Sequence, residues 1–392
     1  MRFRPLATLP LVLIACSGEA QQGTAPAGGG QPQGRYKAGP QAPTEQGRPF
    51  RVTPVADFDQ PWAMTFLPDR RMLVTEKTGA LLLVSADGRT RRTVATLPVD
   101  SAGQGGLMDV VLAPDFARSG RVYLSYSAAG EGGKGVVLAR GVLDRQPGAE
   151  RLREIEVIFR AHPLVVGNGH YSGRIAFSPD GRYLFFTNGE RQQFTPAQDP
   201  KASLGKVLRL TLDGKPAPGN PLAAKGFAPE VWSYGHRNLL GIAFDASGNL
   251  WEQEMGPKGG DEVNLIRAGL NYGYPNVSNG DHYDGRPIPD HAPGDGYEAP
   301  KVWWNPVISP GGLMIYSGAM FPQWRGDAFI GGLSSKSLVR VHLDGTNASK
   351  GDQWDMDARI REAEQGPDGA IYVLEDGGEG SQGRLLRLTP AG

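Results

Sequence analysis

The chain has a single cysteine, Cys16, among 392 residues. One cysteine cannot form an intramolecular disulfide or supply a cysteine-based zinc or iron–sulfur site. Neither charge is in excess, because 41 basic side chains balance 41 acidic ones. This balance excludes a strongly basic nucleic-acid-binding domain and argues against a polybasic membrane surface. The apolar run near the N-terminus, at residues 6–15, is far too short to span a bilayer.

Residues 1–15 have the pattern of an export signal, with Arg2 and Arg4 before the apolar run and a small residue at its end. The segment that ends at Cys16 resembles a bacterial lipobox, in which the cysteine becomes the lipid-bearing first residue. An ordinary signal peptide with an incidental cysteine is the alternative. Ser17 fits the outer-membrane sorting pattern of enteric bacteria. We therefore expect a protein at the periplasmic face of the envelope, anchored to the outer membrane by lipid on Cys16.

Residues 16–48 are rich in Gly, Pro, Gln and Ala, and Tyr36 is almost their only bulky apolar residue. Such a segment cannot bury enough surface to offset the entropy lost on ordering. We expect a flexible tether here, followed by one folded domain at residues 49–392.

An internal repeat runs through this domain, which shows no long helical periodicity. A turn rich in Pro, Asp and Gly precedes a short apolar strand at residues 67–69, 113–115, 178–181, 245–248 and 366–369, with a worn copy at 321–326. A second apolar stretch follows each copy, at residues 79–84, 135–140, 205–210, 261–266, 336–341 and 383–388. Six such units predict an all-β fold, a six-bladed β-propeller of four-stranded antiparallel blades. A pair of β-sandwiches is the alternative.

Three polar, glycine-rich loops could carry chemistry. His170 lies between glycines and could act as a general base, or it could be an ordinary surface histidine. Arg237 and Asn238 offer donors to an anionic or carbonyl-bearing ligand, or they form a salt-bridged turn. Residues 252–262 hold four carboxylates, which suits calcium or a solvated acidic loop. No dinucleotide-binding fingerprint, nucleophile elbow or zinc-protease helix occurs in the sequence.

These loops, in this order, resemble the soluble quinoprotein glucose/sorbosone dehydrogenases, and in particular their aldose sugar dehydrogenases. The resemblance runs from about residue 54 to residue 389. The segments that carry it are residues 61–68, 103–109, 167–174, 235–238, 254–264, 269–275, 308–313, 359–369 and 372–376. It implies a six-bladed propeller that uses pyrroloquinoline quinone (PQQ) with Ca²⁺. The implied reaction oxidises the anomeric carbon of an aldose to a lactone and passes electrons to an unidentified acceptor.

The resemblance also implies roles for individual residues. His170 matches the catalytic base, and Arg237 would stabilise negative charge on the quinone oxygen. The backbone carbonyls of Gly256 and Pro257 match those that hold calcium. The residues that match the surroundings of the cofactor are Gln104, Arg237, Asn238, Lys336, Arg359, Arg361 and Asp376.

The chain departs from the family pattern at several of these places. Met255 stands where the family often has histidine, and Gly169 where the glucose enzymes carry aspartate. Residues 190–192 read Glu-Arg-Gln instead of the usual Asp-Arg-Gly. Ser334 occupies the position of an expected lysine, with Lys336 two residues on. Asn305 replaces an aromatic residue that covers the sugar, so the sequence leaves the sugar specificity open.

Two other functions remain open from the sequence. A lipid-anchored propeller that has lost catalysis could act as a binding module, as the departures at Gly169, Met255 and Ser334 suggest. A metal-dependent lactonase would need side-chain carboxylates and an asparagine directed at a metal in the channel. The Gly256–Pro257 turn fits the lactonase activity poorly.

Overall fold

The computed structural model describes residues 47–391. The predicted signal segment, Cys16 and the predicted tether up to residue 46 lie outside the described residues. Within residues 47–391, no helix has the length and apolar character needed to cross a membrane. The described helices are α1 (Phe116–Ser119) and three 3₁₀ turns at Thr195–Ala197, Ala223–Lys225 and Pro322–Trp324.

Six four-stranded antiparallel sheets make up the domain, as the repeats predict. The first strand, β1 (Phe50–Asp57), belongs to the last sheet. Blade 1 contains β2 (Pro61–Phe66), β3 (Met72–Glu76), β4 (Ala80–Val84) and β5 (Arg91–Thr96). Blade 2 contains β6 (Leu107–Leu112), β7 (Arg121–Gly130), β8 (Gly133–Asp144) and β9 (Arg151–Arg160). Blade 3 contains β10 (Ser172–Phe177), β11 (Tyr183–Asn188), β12 (Lys206–Thr211) and β13 (Val231–Tyr234).

The second half of the chain continues the pattern. Blade 4 contains β14 (Leu239–Phe244), β15 (Leu250–Glu254), β17 (Asp261–Ile266) and β19 (Val302–Trp304), while β16 (Lys258–Gly259) pairs with β18 (Gly280–Asp281) in its loops. Blade 5 contains β20 (Pro310–Ile315), β21 (Ala328–Gly332), β22 (Ser337–Asp344) and β23 (Asn347–Asp355). Blade 6 contains β24 (Ile360–Gln365), β25 (Ile371–Glu375), β26 (Arg384–Pro390) and β1.

The first strands of the blades form the inner ring of the propeller, because β2, β6, β10, β14, β20 and β24 contact one another in a closed cycle. The ring is closed by β1, which pairs antiparallel with β26 so that Phe50 lies opposite Pro390. Joining the two ends of the domain in one sheet leaves no open edge between the first and last blades.

The twelve apolar stretches recognised in the sequence correspond to the second and third strands of the six blades. These strands are covered on both faces by neighbouring blades, so they read as nearly continuous apolar runs. In β4, Leu81, Leu82, Leu83 and Val84 are all buried. The turns before the second strands are also as predicted, since Gly181 adopts a φ of 68° and its N–H donates to the Ser178 carbonyl.

Each inner strand begins with a break in register against the second strand of its blade. Such irregularities bend the strand and redirect side chains at the rim of a barrel or propeller. The inner strands all begin at one face of the propeller. The loops that join the second and third strands lie at the same face. Two sets of loops from six blades therefore converge on one face of the molecule.

Candidate active site

Two adjacent cavities lie on this face. The larger, about 470 Å³, is lined by 20 residues that include Gln104, Asn238, Arg359, Arg361 and Asp376. The smaller, about 240 Å³, is lined by 11 residues that include His170, Arg237 and Pro257. Tyr283 lines both cavities. The fold thus brings most of the predicted site residues together from four different blades and their loops.

His170 lies just before β10, and residues from two other loops hold it in place. Its Nδ1 lies 2.5 Å from Oε1 of Glu190, and its backbone N–H donates to Oε1 of Gln104 at 2.7 Å. Burial lowers the pKa of the imidazole, and the charges of Arg237 and Arg191 lower it further, while Glu190 opposes them. The ring is therefore neutral near pH 7, with a proton on Nδ1 donated to Glu190 and Nε2 left to accept a proton.

Glu190 follows β11 and is fully buried. Burial alone would raise its pKa, but hydrogen bonding from His170 and from the Phe194 N–H, together with attraction to Arg237, holds the pKa below its ordinary value. An ionised carboxylate beside a neutral imidazole is the arrangement that orients a general base. In the sequence, Glu190 is recognisable only as a departure from the family pattern.

Arg191 fixes the loop that carries His170. Its guanidinium donates to the carbonyls of Gly167 and Gly169 and lies 3.5 Å above the ring of Tyr171. The side chain is fully buried. A glycine-rich loop has little stiffness of its own, so this clamp keeps the backbone around His170 in place.

Arg237 contacts the turn predicted to bind calcium. Its Nη1 donates to the carbonyls of Met255 and Gly256 at 2.9 and 2.6 Å, and its backbone N–H donates to Glu254 at 2.6 Å. Its Nε is buried and has no acceptor among the described residues. A buried donor of this kind is costly unless a ligand or a water accepts from it. The neighbouring Asn238 side chain lines the larger cavity.

On the opposite side of the larger cavity, Asp376 bridges two arginines. It accepts from Nε of Arg359 at 2.8 Å and from Nε and Nη2 of Arg361 at 2.9 and 2.7 Å. Burial alone would raise the pKa of Asp376, but the two guanidinium groups hold it below its ordinary value. Arg359 also pairs with Glu379 at 2.8 Å. The arginines are thus fixed in place and retain further donors for an anionic ligand.

The Gly256–Pro257 turn is shaped by Asp261, which is almost fully buried. The carboxylate accepts from the N–H groups of Gly256, Ile308 and Ser309 at 2.9, 2.7 and 2.7 Å. Burial raises the pKa of Asp261 to about 7 in spite of these hydrogen bonds. Asp261 therefore joins the turn of blade 4 to the start of the inner strand of blade 5.

A second group of oxygen ligands lies in blade 4. Within residues 47–391, one set of three side chains could hold a metal ion with atoms less than 4.8 Å apart, and it consists of His236, Glu252 and Glu254. Burial raises the pKa of Glu252 well above its ordinary value, and repulsion from Glu254 raises it further. Oε1 of Glu252 has no partner among the described residues. Buried carboxylates of this kind require protons or a cation.

Some predicted residues lie elsewhere. Lys336 is exposed in the turn between β21 and β22, and neither cavity is lined by it. Ser334 is exposed in the same turn. Asn305 packs against Gly259, where an added Cβ would lie 3.2 Å from its amide, and it also lines neither cavity. Met255 lines the larger cavity, and its sulfur lies 3.7 Å from Nδ2 of Asn238.

Sequence reasoning missed several residues at the site. Lys77 and Trp62 line the larger cavity, and Tyr283 stands between the two. Each lies at the start of an inner strand or in a loop on the same face. The signal available for Trp62 and Lys77 was their position in the repeat. Tyr283 lies in an insertion of blade 4 and has no counterpart in the repeat.

The comparisons with known proteins agree with this geometry. A family profile described as glucose/sorbosone dehydrogenase matches residues 58–387. The aldose sugar dehydrogenase YliI of Escherichia coli (strain K12) is 39% identical over 343 residues, which cover 85% of this chain and 91% of that protein.

Solved structures give the same result. The crystal structure of the apo-form of the soluble aldose sugar dehydrogenase from Escherichia coli has a TM-score of 0.81 at 37% identity, covering 87% of this chain and 99% of that one. The PQQ-bound aldose sugar dehydrogenase from Streptomyces coelicolor has a TM-score of 0.71 at 29% identity, covering 87% and 98%. The chain belongs to the glucose/sorbosone dehydrogenase family.

Proposed function

We propose that the protein is a PQQ- and calcium-dependent aldose sugar dehydrogenase that oxidises the anomeric carbon of aldoses to lactones. The observation that carries this proposal is the buried pair of His170 and Glu190, whose Nδ1 to Oε1 distance is 2.5 Å, beside the guanidinium of Arg237. A neutral base, an orienting carboxylate and an adjacent cation are what this oxidation needs.

The residues present fit PQQ, a tricarboxylate quinone. The larger cavity offers Lys77, Arg359 and Arg361 to carboxylates, and Gln104 and Asn238 to carbonyl oxygens. Arg237 has a buried Nε–H without an acceptor among residues 47–391. When bound, the quinone supplies the acceptor for the hydride that leaves the sugar.

Calcium has two candidate positions. The first is the pair of carbonyls at Gly256 and Pro257, although Arg237 already donates to the Gly256 carbonyl at 2.6 Å. A carbonyl has two lone pairs, so it can serve both cations if the guanidinium shifts along it. The second is the His236, Glu252 and Glu254 group, whose buried carboxylates are the hard oxygen ligands that calcium prefers.

The chain's own residues account for the proton. In the proposed reaction the anomeric carbon loses its C–H bonding pair as hydride, and the anomeric hydroxyl loses its proton. Nε2 of His170 takes that proton, and the remaining C–O bond becomes the lactone carbonyl. Glu190 holds the Nδ1 proton and stabilises the imidazolium that forms. Arg237 places a positive charge where negative charge develops.

The test is a titration of the purified full chain with PQQ and Ca²⁺, followed by dye reduction with a panel of aldoses. We expect quinone binding at or below micromolar concentration and aldose-dependent reduction. His170→Ala should reduce turnover by about 10²- to 10⁴-fold and leave quinone binding intact. A matched control is His342→Ala, because that ring is 45% exposed in blade 5 and lines neither cavity. If the quinone does not bind, the enzyme proposal fails and a lipid-anchored binding module becomes the better account.

We also propose that the site works at the periplasmic face of the cell envelope, with the propeller anchored to the outer membrane by lipid on Cys16. The support is the sequence pattern of residues 1–48. The partners in this proposal are an aldose and an unidentified electron acceptor, with no nucleic acid involved.

A further inference from the structure

The smaller cavity has the composition of a site for a small polyol. Its walls combine aromatic rings with the imidazole of His170, the guanidinium of Arg237 and the amide of Gln192. Its volume of about 240 Å³ falls below the roughly 300–1,000 Å³ of pockets for drug-sized ligands. A pyranose presents C–H faces that suit aromatic rings and a rim of hydroxyls that suit amides and charged donors. The cavity therefore suits a monosaccharide held against His170.

Gly169 shows why Gln192 belongs to this cavity. Its φ lies outside the left-handed region, so its backbone does not require glycine. A Cβ at this position would lie 2.5 Å from both Cδ and Oε1 of Gln192. A Cβ at this position would therefore displace the Gln192 amide, which packs directly on the backbone beside His170. The side-chain amide of Gln192 forms no hydrogen bond with another of the described residues.

The carboxylate of Glu190 holds the backbone of Gln192 as well as the imidazole of His170. Oε1 of Glu190 accepts the Gln192 N–H at 2.9 Å as well as His170 Nδ1, and Oε2 accepts the Phe194 N–H at 2.6 Å. Arg191, Gln192 and Phe194 have φ values of 64°, 60° and 62°. Left-handed φ values in non-glycine residues are strained and cluster at functional sites. The Glu190 carboxylate therefore fixes the imidazole of His170 together with the backbone at Gln192 and Phe194.

The opposite wall is formed by a turn of blade 4. Tyr283 lies in the turn closed by the Gly285 N–H to His282 carbonyl hydrogen bond, and 73% of its surface is exposed. Its hydroxyl lies 3.5 Å from Nη2 of Arg237. The ring of Phe194, 43% exposed, meets the His282 ring edge-on at 5.5 Å. Two exposed aromatic rings at the mouth of a polar cavity indicate a ligand surface.

We propose that Gln192 and Tyr283 determine which aldose this protein accepts. The Gln192 amide hydrogen-bonds a ring hydroxyl of the sugar whose anomeric carbon faces His170, and Tyr283 covers a C–H face of that sugar. This inference rests on the proposed function, since it names the residues that select the substrate of the same site.

The first experiment compares Gln192→Met with the wild type in the full chain. Methionine keeps the length of the side chain and removes its hydrogen bonds. With quinone and calcium present, we expect KM for the preferred aldose to rise about fivefold to tenfold, with kcat changed less than twofold. The control is Gln146→Met, because Gln146 is exposed in the loop between β8 and β9 and lines neither cavity.

The second experiment measures sugar binding without turnover. A 1,5-anhydroalditol lacks the anomeric hydroxyl and cannot be oxidised to a lactone. Its binding is followed by saturation-transfer NMR, with the protein as purified and after addition of PQQ and Ca²⁺. We expect Gln192→Met and Tyr283→Ala each to weaken binding by about fivefold or more, and Tyr283→Phe to bind like the wild type because the ring is kept.

The outcomes separate this inference from the proposed function. Equal anhydroalditol affinity in the wild type, Gln192→Met and Tyr283→Ala overturns the assignment of these residues, even if the protein oxidises aldoses. Sugar binding that depends on Gln192 and Tyr283, in a protein that binds no quinone, supports the assignment and defeats the proposed function. A fall in kcat with unchanged KM in Gln192→Met also overturns it, because that pattern indicates a role in the chemical step.

Discussion

Two carboxylates, the buried Glu190 and the partly buried Asp376, hold opposite sides of the candidate site, and they differ in the partner that each one faces. Glu190 faces the imidazole of His170, which can gain or lose a proton near neutral pH. Asp376 faces Arg359 and Arg361, whose guanidinium groups stay charged. In both cases burial alone would raise the carboxyl pKa and the partners hold it down. The first pair can therefore move a proton, whereas the second can only fix charge.

The largest expected effect comes from breaking the pair that moves a proton. In Glu190→Gln the amide cannot accept from His170, Gln192 and Phe194 together, so the imidazole loses its orientation. We expect kcat to fall about 100-fold or more, with quinone affinity unchanged. Glu190→Asp, which keeps the charge, should recover part of this loss.

The pH profile of the same variant tests the electrostatic part. Glu190 raises the pKa of His170 against the lowering effect of burial. Without that carboxylate the pKa falls further, so the residual kcat/KM should keep its value to lower pH than in the wild type. A profile with the same acid limb as the wild type, together with near-normal turnover, would contradict the role of Glu190.

A smaller effect, on binding instead of turnover, is expected from the pair that fixes charge. Arg361→Leu leaves Asp376 less well compensated beside a tricarboxylate ligand. We expect the Kd for PQQ to rise about 30- to 100-fold, with kcat at saturating quinone nearly unchanged. The double variant Arg361→Leu with Asp376→Asn should regain part of the affinity. The control is Arg182→Leu, whose ion pair with Asp180 is largely exposed. A loss confined to kcat would show that both pairs serve the chemistry.

The smallest effect is expected at Lys336, which the family resemblance associates with the cofactor. The side chain is exposed and lines neither cavity, so solvent and salt screen its charge. Lys336→Ala should change the Kd for PQQ by no more than about twofold in an equilibrium titration. A change above tenfold would mean that the turn carrying Lys336 closes over the larger cavity when the quinone binds.

The internal repeat allowed the fold to be predicted from the sequence. The second and third strands of most blades read as apolar runs because neighbouring blades cover both of their faces, although β15 and β17 in blade 4 carry several acidic residues. The inner strands were harder to recognise, since several carry polar residues such as Asp109 in β6, Arg174 in β10 and Glu362 in β24. These three side chains form a buried ion-pair group, with Arg174 pairing to both carboxylates. Their pairing depends on strands that lie far apart in the chain.

The site was predictable to the same uneven degree. His170, Arg237 and Asn238 stood out because their loops are polar, rich in glycine and poor in strand-forming residues. Glu190 and Gln192 were recognisable only as departures from the family pattern, and Tyr283 belonged to no pattern. The roles of these residues depend on the residues that they contact, and those contacts come from other loops.

The sequence alone determined the number of blades and the family, because both are written in local patterns of turns, apolar strands and ordered motifs. The tertiary structure decided which carboxylate orients the base and which arginines share Asp376. It also decided which side chain packs on the backbone of Gly169. Each of these depends on distances between loops of different blades or of one blade's opposite strands. Such distances are set when the inner strand pairs with the second strand of the blade, β10 with β11 and β24 with β25, and no local pattern encodes them.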